Sequence, residues 1–144
     1  MGAGFQNKVL MVMTADGHNC TLYEPLVYRR RNGDLIRAIN YSTTDGLSTP
    51  AFLWPLIPPF GKIWFSGVIH DAAYRNTLEK LNDTETTWLP ITLSEEDSNE
   101  LIHEAMETQG AGWLEHTVIY IALEWFGWRA FDADRRAVPS TPQL

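Results

Sequence analysis

The chain reads as an α+β protein: a small antiparallel N-terminal sheet followed by about three packed helices. Three observations predict this. The first forty residues carry short β-prone apolar runs separated by turn residues, among them an Asn32-Gly33 pair. The second half carries apolar residues at helical spacing, opened by Ser94-Glu95-Glu96-Asp97 and closed by Gly110. A Pro-rich stretch, with Pro50, Pro55, Pro58 and Pro59, lies between the two halves. A length of 144 residues with 44% hydrophobic content suits one domain over 1–144 with its own core.

Residues 8–13 form a short apolar run and the first predicted strand. Residues 21–28 are β-prone, and Pro25 points to an edge or a bulge there. Residues 35–41 are a third strand, joined to the second by Asn32-Gly33, whose positive-φ preference suits a type I′ hairpin turn. Thr44-Asp45-Gly46 marks another turn, and Pro50 suits the first turn of a short helix. The spacing predicts a helix over about 62–81, with Gly67, Ala72 and Ala73 small enough to admit a close neighbour. Asn82-Asp83-Thr84 reads as a loop and residues 88–91 as an extended connector. A second helix follows the Ser94 cap, its first turn acidic, and ends at Gly110. A third runs from about 113 to 126, with Gly127 as its stop. Residues 138–144 read as a loose tail.

Composition narrows the function. The net charge of −7 argues against binding a phosphate backbone, and Arg29-Arg30-Arg31 fits the flank of a hairpin better than a nucleic-acid patch. One cysteine, Cys20, excludes an intramolecular disulfide and suits a small buried side chain. The N-terminus lacks a signal-peptide pattern, and the most apolar run, at 118–123, falls far short of the roughly 20 residues of a transmembrane segment. Six Trp fit a heavily packed core, with part of the set able to form an assembly surface.

The chemistry concentrates at His70 and Asp71, with Tyr74 one turn on. Polar residues on a small-and-apolar helix are costly to bury without partners. His70 and Tyr74, four apart, share a helix face, whereas Asp71 is turned by about 100°. His70 and Asp71 therefore serve different places, and the group that orients His70 must come from another helix. The second helix offers Asp97, Asn99, Glu100, His103 and Glu104.

Four motifs in order carry a resemblance: Asp45-Gly46-Leu47-Ser48-Thr49-Pro50; Leu53-Trp54-Pro55-Leu56-Ile57-Pro58-Pro59-Phe60-Gly61; Ile69-His70-Asp71-Ala72-Ala73-Tyr74; and Glu104-Ala105-Met106. Together they resemble the family called domain of unknown function 1353, found mainly in bacteriophages and prophages. The likeness implies a phage protein made in the host bacterial cytoplasm and located in the virion. There it would be a structural or accessory component of the tail or baseplate, in contact with other phage structural proteins or with itself. No cofactor is expected on this reading.

His70-Asp71-x-x-Tyr74 is also similar to the phospholipase A2 arrangement. That likeness implies a Ca²⁺-dependent ester hydrolase with His70 as base. Asp71 would ligate the ion together with loop carbonyls near Pro59, Phe60 and Gly61. Tyr74 would hydrogen-bond to the acid that orients His70. Relatives would carry an Asp just before Glu-Ala-Met, where this chain has Asn99.

Plainer readings stand beside these. His70, Asp71 and Tyr74 can be a satisfied polar network that clamps helices together. His18, His103 and His116 show no metal-ligand spacing, which argues against a zinc site. Ser66 lacks a nucleophile elbow, and Trp88, Trp113, Trp125 and Trp128 suit a core. The sequence favours a phage component acting through protein contacts, with the hydrolase as the alternative.

Overall fold

The computed structural model describes residues 2–13, 15, 20–39, 43–44, 55 and 63–124. Among these residues eight strands and three helices follow in the order β1 (Gly4–Phe5), β2 (Met11–Met13), β3 (Cys20–Leu22), β4 (Leu26–Arg29), β5 (Leu35–Ala38), β6 (Thr43–Thr44), α1 (Trp64–Tyr74), β7 (Leu78–Leu81), β8 (Trp88–Ile91), α2 (Glu95–Thr108) and α3 (Trp113–Ala122). The α+β class holds. A five-stranded antiparallel sheet runs β1-β4-β5-β7-β8, and a three-stranded antiparallel sheet runs β2-β3-β6.

The run expected as one strand over 21–28 is two, β3 and β4, in different sheets. Pro25 lies in the break, where its missing N–H costs no ladder bond. Alternation is clean in the paired strands: Leu26 and Tyr28 of β4 are buried, as are Ile36 and Ala38 of β5. Cys20 is buried, and burial pushes its thiol pKa up.

The β4–β5 hairpin is where the Asn-Gly pair predicted it, but with a different turn. The Gly33 N–H donates to the Arg30 carbonyl (3.0 Å) and the Arg30 N–H to the Asp34 carbonyl (2.8 Å). Gly33 has φ 94°, while Asn32 is not among the positive-φ residues. This is the three-residue loop in which a type I turn precedes a left-handed glycine, rather than a type I′ turn.

The helix expected over 62–81 ends early. Asn76 takes φ 61°, the left-handed conformation Asn tolerates at a helix end, and the Thr77 N–H returns to the Ala72 carbonyl (2.8 Å). The chain then turns into β7, which pairs with both β5 and β8. The extended connector is β8, an edge strand, which is where Pro90 is tolerated.

The second helix starts as expected. Ser94 Oγ accepts from the Asp97 N–H (3.0 Å), Glu95, Glu96 and Asp97 occupy the first turn, and Gly110 has φ 78° just beyond the end. The third starts at Trp113. Its expected stop, Gly127, lies outside the described residues, as do the Pro-rich stretch apart from Pro55 and the 138–144 tail.

The core joins the five-stranded sheet, α1 and α2: Leu26, Tyr28, Ile36 and Leu78 from strands, Val68, Ile69, Ala72 and Ala73 from α1, and Leu101 and Ala105 from α2. Every residue of α1 from Ser66 to Tyr74 is buried. Such a helix has no solvent face for a polar side chain, so each one it carries needs a protein partner. By contrast α3 has one buried residue, Ile119, which meets Ile63, Ile102 and Met106 in a small second cluster.

Candidate functional site

Position 70 of α1 points at α2. His70 Nε2 lies 3.0 Å from Asn99 Oδ1, and the Tyr74 hydroxyl donates to the same oxygen at 2.7 Å. The His70 and Tyr74 rings, one turn apart, have centroids 4.1 Å apart at 45°. An amide oxygen only accepts, so His70 carries its proton on Nε2, and in the neutral ring the basic lone pair is on Nδ1. The residue 8% exposed at this contact is an oriented imidazole with one tautomer selected by its neighbour.

The three residues singled out in the sequence as a histidine, its orienting group and a supporting tyrosine therefore meet. Asp71 is buried beside His70 at 7% exposure. Phe60 and Gly61, the loop donors assigned with it to Ca²⁺, lie outside the described residues. Among the described residues no group of three or more His, Cys, Asp and Glu side chains could hold a metal ion. Asp97, two residues before Asn99, gives its backbone N–H to the Ser94 cap.

A second motif residue is structural. Glu104 of α2 accepts three hydrogen bonds from the β4–β5 hairpin: from the Tyr28 hydroxyl (3.2 Å), the Arg31 N–H (3.0 Å) and Arg30 Nη2 (3.1 Å). Burial, and then the Glu104 charge, push the Tyr28 pKa well up. Arg31 also pairs with Glu107. The arginine run thus docks a hairpin on α2, in keeping with the turn-flank reading. Ser66 donates to Gln109 Oε1 (2.6 Å), which ties α1 to the end of α2.

One expectation needs correction. Trp113, assigned to the core, is 77% exposed at the start of α3, because that helix buries only Ile119. Trp88 is partly buried with the Arg37 guanidinium 4.4 Å above its ring, and Trp125 and Trp128 lie outside the described residues. Histidines without metal-ligand spacing in sequence nevertheless meet: His103 Nδ1 and His116 Nδ1 are 2.9 Å apart, with rings stacked at 21°. Burial, and then the charge of His116, push the His103 pKa down. The tight turn after Gly110 folds α3 back so that a separation of thirteen residues becomes a contact. The capping residues gave notice of that turn, but not of its angle. His18 lies outside the described residues.

Next to this pair is a cleft of about 600 Å³, walled by Asn99, Glu100 and His103 of α2 and by Tyr120, Leu123 and Glu124 on the α3 side. Asn99 is thus shared: its oxygen faces His70 while the residue also lines the cleft. No described helix is long and apolar enough to cross a membrane.

No curated protein and no solved structure matches the chain. A family model described as "Protein of unknown function (DUF1353)" matches residues 20–123, which run from the start of β3 to just past α3 and include His70, Tyr74, Asn99 and Glu104. With well over half of its length inside that match, the chain belongs to the DUF1353 family.

Proposed function

We propose that the chain is an ester hydrolase of phospholipase A2-like kind, with His70 as its base and Asn99 and Tyr74 as the groups that hold it. The observation that carries this reading is the single Asn99 oxygen that accepts from both His70 Nε2 and the Tyr74 hydroxyl. It selects the tautomer with a basic Nδ1 and fixes the ring's direction. An Asn in this role has precedent in Cys-His-Asn hydrolases. In the reaction Nδ1 takes a proton from water while the water oxygen bonds to the ester carbonyl carbon. The imidazolium then returns that proton to the departing alkoxide, so ester and water become acid and alcohol. A neutral amide stabilises the imidazolium less than a carboxylate, so turnover is slow. Calcium, if held, would supply charge for the developing oxyanion. Asp71 would be its carboxylate ligand.

The test is fatty-acid release from phosphatidylglycerol–phosphatidylethanolamine vesicles, with calcium and with chelator. Wild type releases acid, and His70→Gln loses about 10²–10⁴-fold in rate while remaining folded. Equal release by both proteins, or none by either, overturns the reading.

A second reading is a phage structural or accessory protein of the tail or baseplate, in which the polar centre only clamps α1 to α2. Exposed apolar residues favour it: Trp113, Leu114, Tyr120 and Ile121 on α3, and Val12 and Met13 on β2. It expects no acyl release, and an association with itself or with tail proteins, measured by sedimentation, that Trp113→Ser weakens.

A further inference from the structure

We propose that His103 and His116 form a proton-limited latch between α2 and α3, which holds while the pair carries at most one extra proton and releases α3 when both rings are protonated. The contact is Nδ1 to Nδ1 at 2.9 Å. One of these nitrogens must donate and the other accept, so the contact needs one proton between them. Two neutral rings satisfy this, and so does one imidazolium facing one neutral ring, with a stronger charge-assisted bond. Two imidazolium rings do not: an N–H then faces an N–H, and like charges face each other.

The surroundings set how much this contact matters. Helix α3 buries Ile119, with Val118 partly buried on the same cluster, so among the described residues the latch adds a polar contact to a small apolar one. Among the described residues, Glu96 and Glu100 of α2 and Tyr120 and Glu124 on the α3 side line the cleft beside His103, with Glu95 at its end. Their carboxylates favour protonated rings, yet they do not restore the lone pair that a second proton removes from the contact. Glu104 and Glu107, also on α2, are engaged by Arg30 and Arg31, and Glu115 of α3 accepts from the Gly112 N–H. Burial of His103 opposes its protonation in the closed state. The open arrangement sets no such limit on a second proton, so acid favours opening. Because Asn99 and His103 form one wall of the cleft and Tyr120 and Glu124 the other, release of α3 opens the side of α2 that carries Asn99.

The test is hydrogen exchange of the amides at 116–122, corrected for intrinsic rates, at pH 6.5 and 5.5, with β5 amides as reference. In the wild type, α3 protection falls roughly fivefold across that unit relative to β5. In His116→Asn the amide oxygen accepts from His103 whether or not His103 is charged, and the ratio stays flat. Parallel behaviour of α3 and β5 in the wild type, or an equal fall in His116→Asn, overturns the proposal. If His116→Asn is unprotected at both pH values, imidazole ¹⁵N shifts of the wild type decide. Two steps separated by more than one pH unit support the latch, and one common midpoint overturns it.

Discussion

Helix α2 makes two histidine contacts one turn apart, at Asn99 and at His103, and the two differ in their acceptor. Toward α1, His70 donates to Asn99, an oxygen with no titration of its own in the working range. Toward α3, His103 faces another imidazole, which accepts only while it lacks a proton. The first contact survives protonation of its histidine, because an imidazolium still donates through Nε2. The second tolerates one proton and fails at two. The same side chain thus makes a pH-tolerant joint or a pH-limited one according to the atom it meets. The tolerant joint lies in the larger core, and the limited joint holds the helix with the least buried surface.

The largest test of that contrast is Asn99→Ala, which leaves the His70 and Tyr74 donors buried without their acceptor. It should cost about 2–4 kcal/mol in chemical denaturation, as two such losses would. A change under about 1 kcal/mol would mean that the joint is not what holds α1 to α2.

Asn99→Asp keeps the acceptor and adds charge. It raises the His70 pKa, because a carboxylate favours the imidazolium. Under the hydrolase reading it speeds acyl release at least tenfold, about 1.4 kcal/mol of transition-state stabilisation. Under the clamp reading only the histidine titration moves. Tyr74→Phe removes one of the two donors and should cost about 0.5–1.5 kcal/mol.

The pH effect on the other joint is smaller. The His103 pKa is lowered in the folded protein, so the unfolded chain binds more protons below its ordinary value of about 6.5. Stability from this group is therefore full above about pH 6.5 and declines as pH falls toward the lowered value. At a half-buried site the loss stays under about 1 kcal/mol. Denaturation midpoints of wild type and His116→Asn at pH 7 and 5.5 measure it. Smallest of all, Arg31→Ala removes an exposed pair with Glu107 and should change stability by no more than about 0.5 kcal/mol.

The sequence showed what depends on neighbours along the chain. Ser94 as a cap, Gly110 as a stop, the hairpin at Asn32-Gly33 and the shared face of His70 and Tyr74 all follow from local geometry. The need for a third group on the second helix followed as well, since His70 and Asp71 diverge. Local pattern failed where tertiary pairing decided. Leu78-Glu79-Lys80-Leu81 suits a helix as readily as a strand, and only β5 and β8 on either side make it one. The meeting of His103 with His116 depends on the angle at which α3 folds back. The exposure of Trp113 depends on how little α3 buries.

The two hairpin turns described in the large sheet have opposite freedoms. The turn after β4 is held from outside, since its Arg31 N–H and Arg30 guanidinium end on Glu104. The turn after β7 is held from within: Asn82 Oδ1 accepts from the N–H groups of Thr86 and Thr87, bonds internal to the turn itself. An added peptide at 83–85 would therefore lengthen a self-contained loop. The same peptide at 31–33 would pull a strand pair off its helix. The turn at 83–85 is a place for a tag, a label or natural variation in length, and the turn at 31–33 is closed to all three.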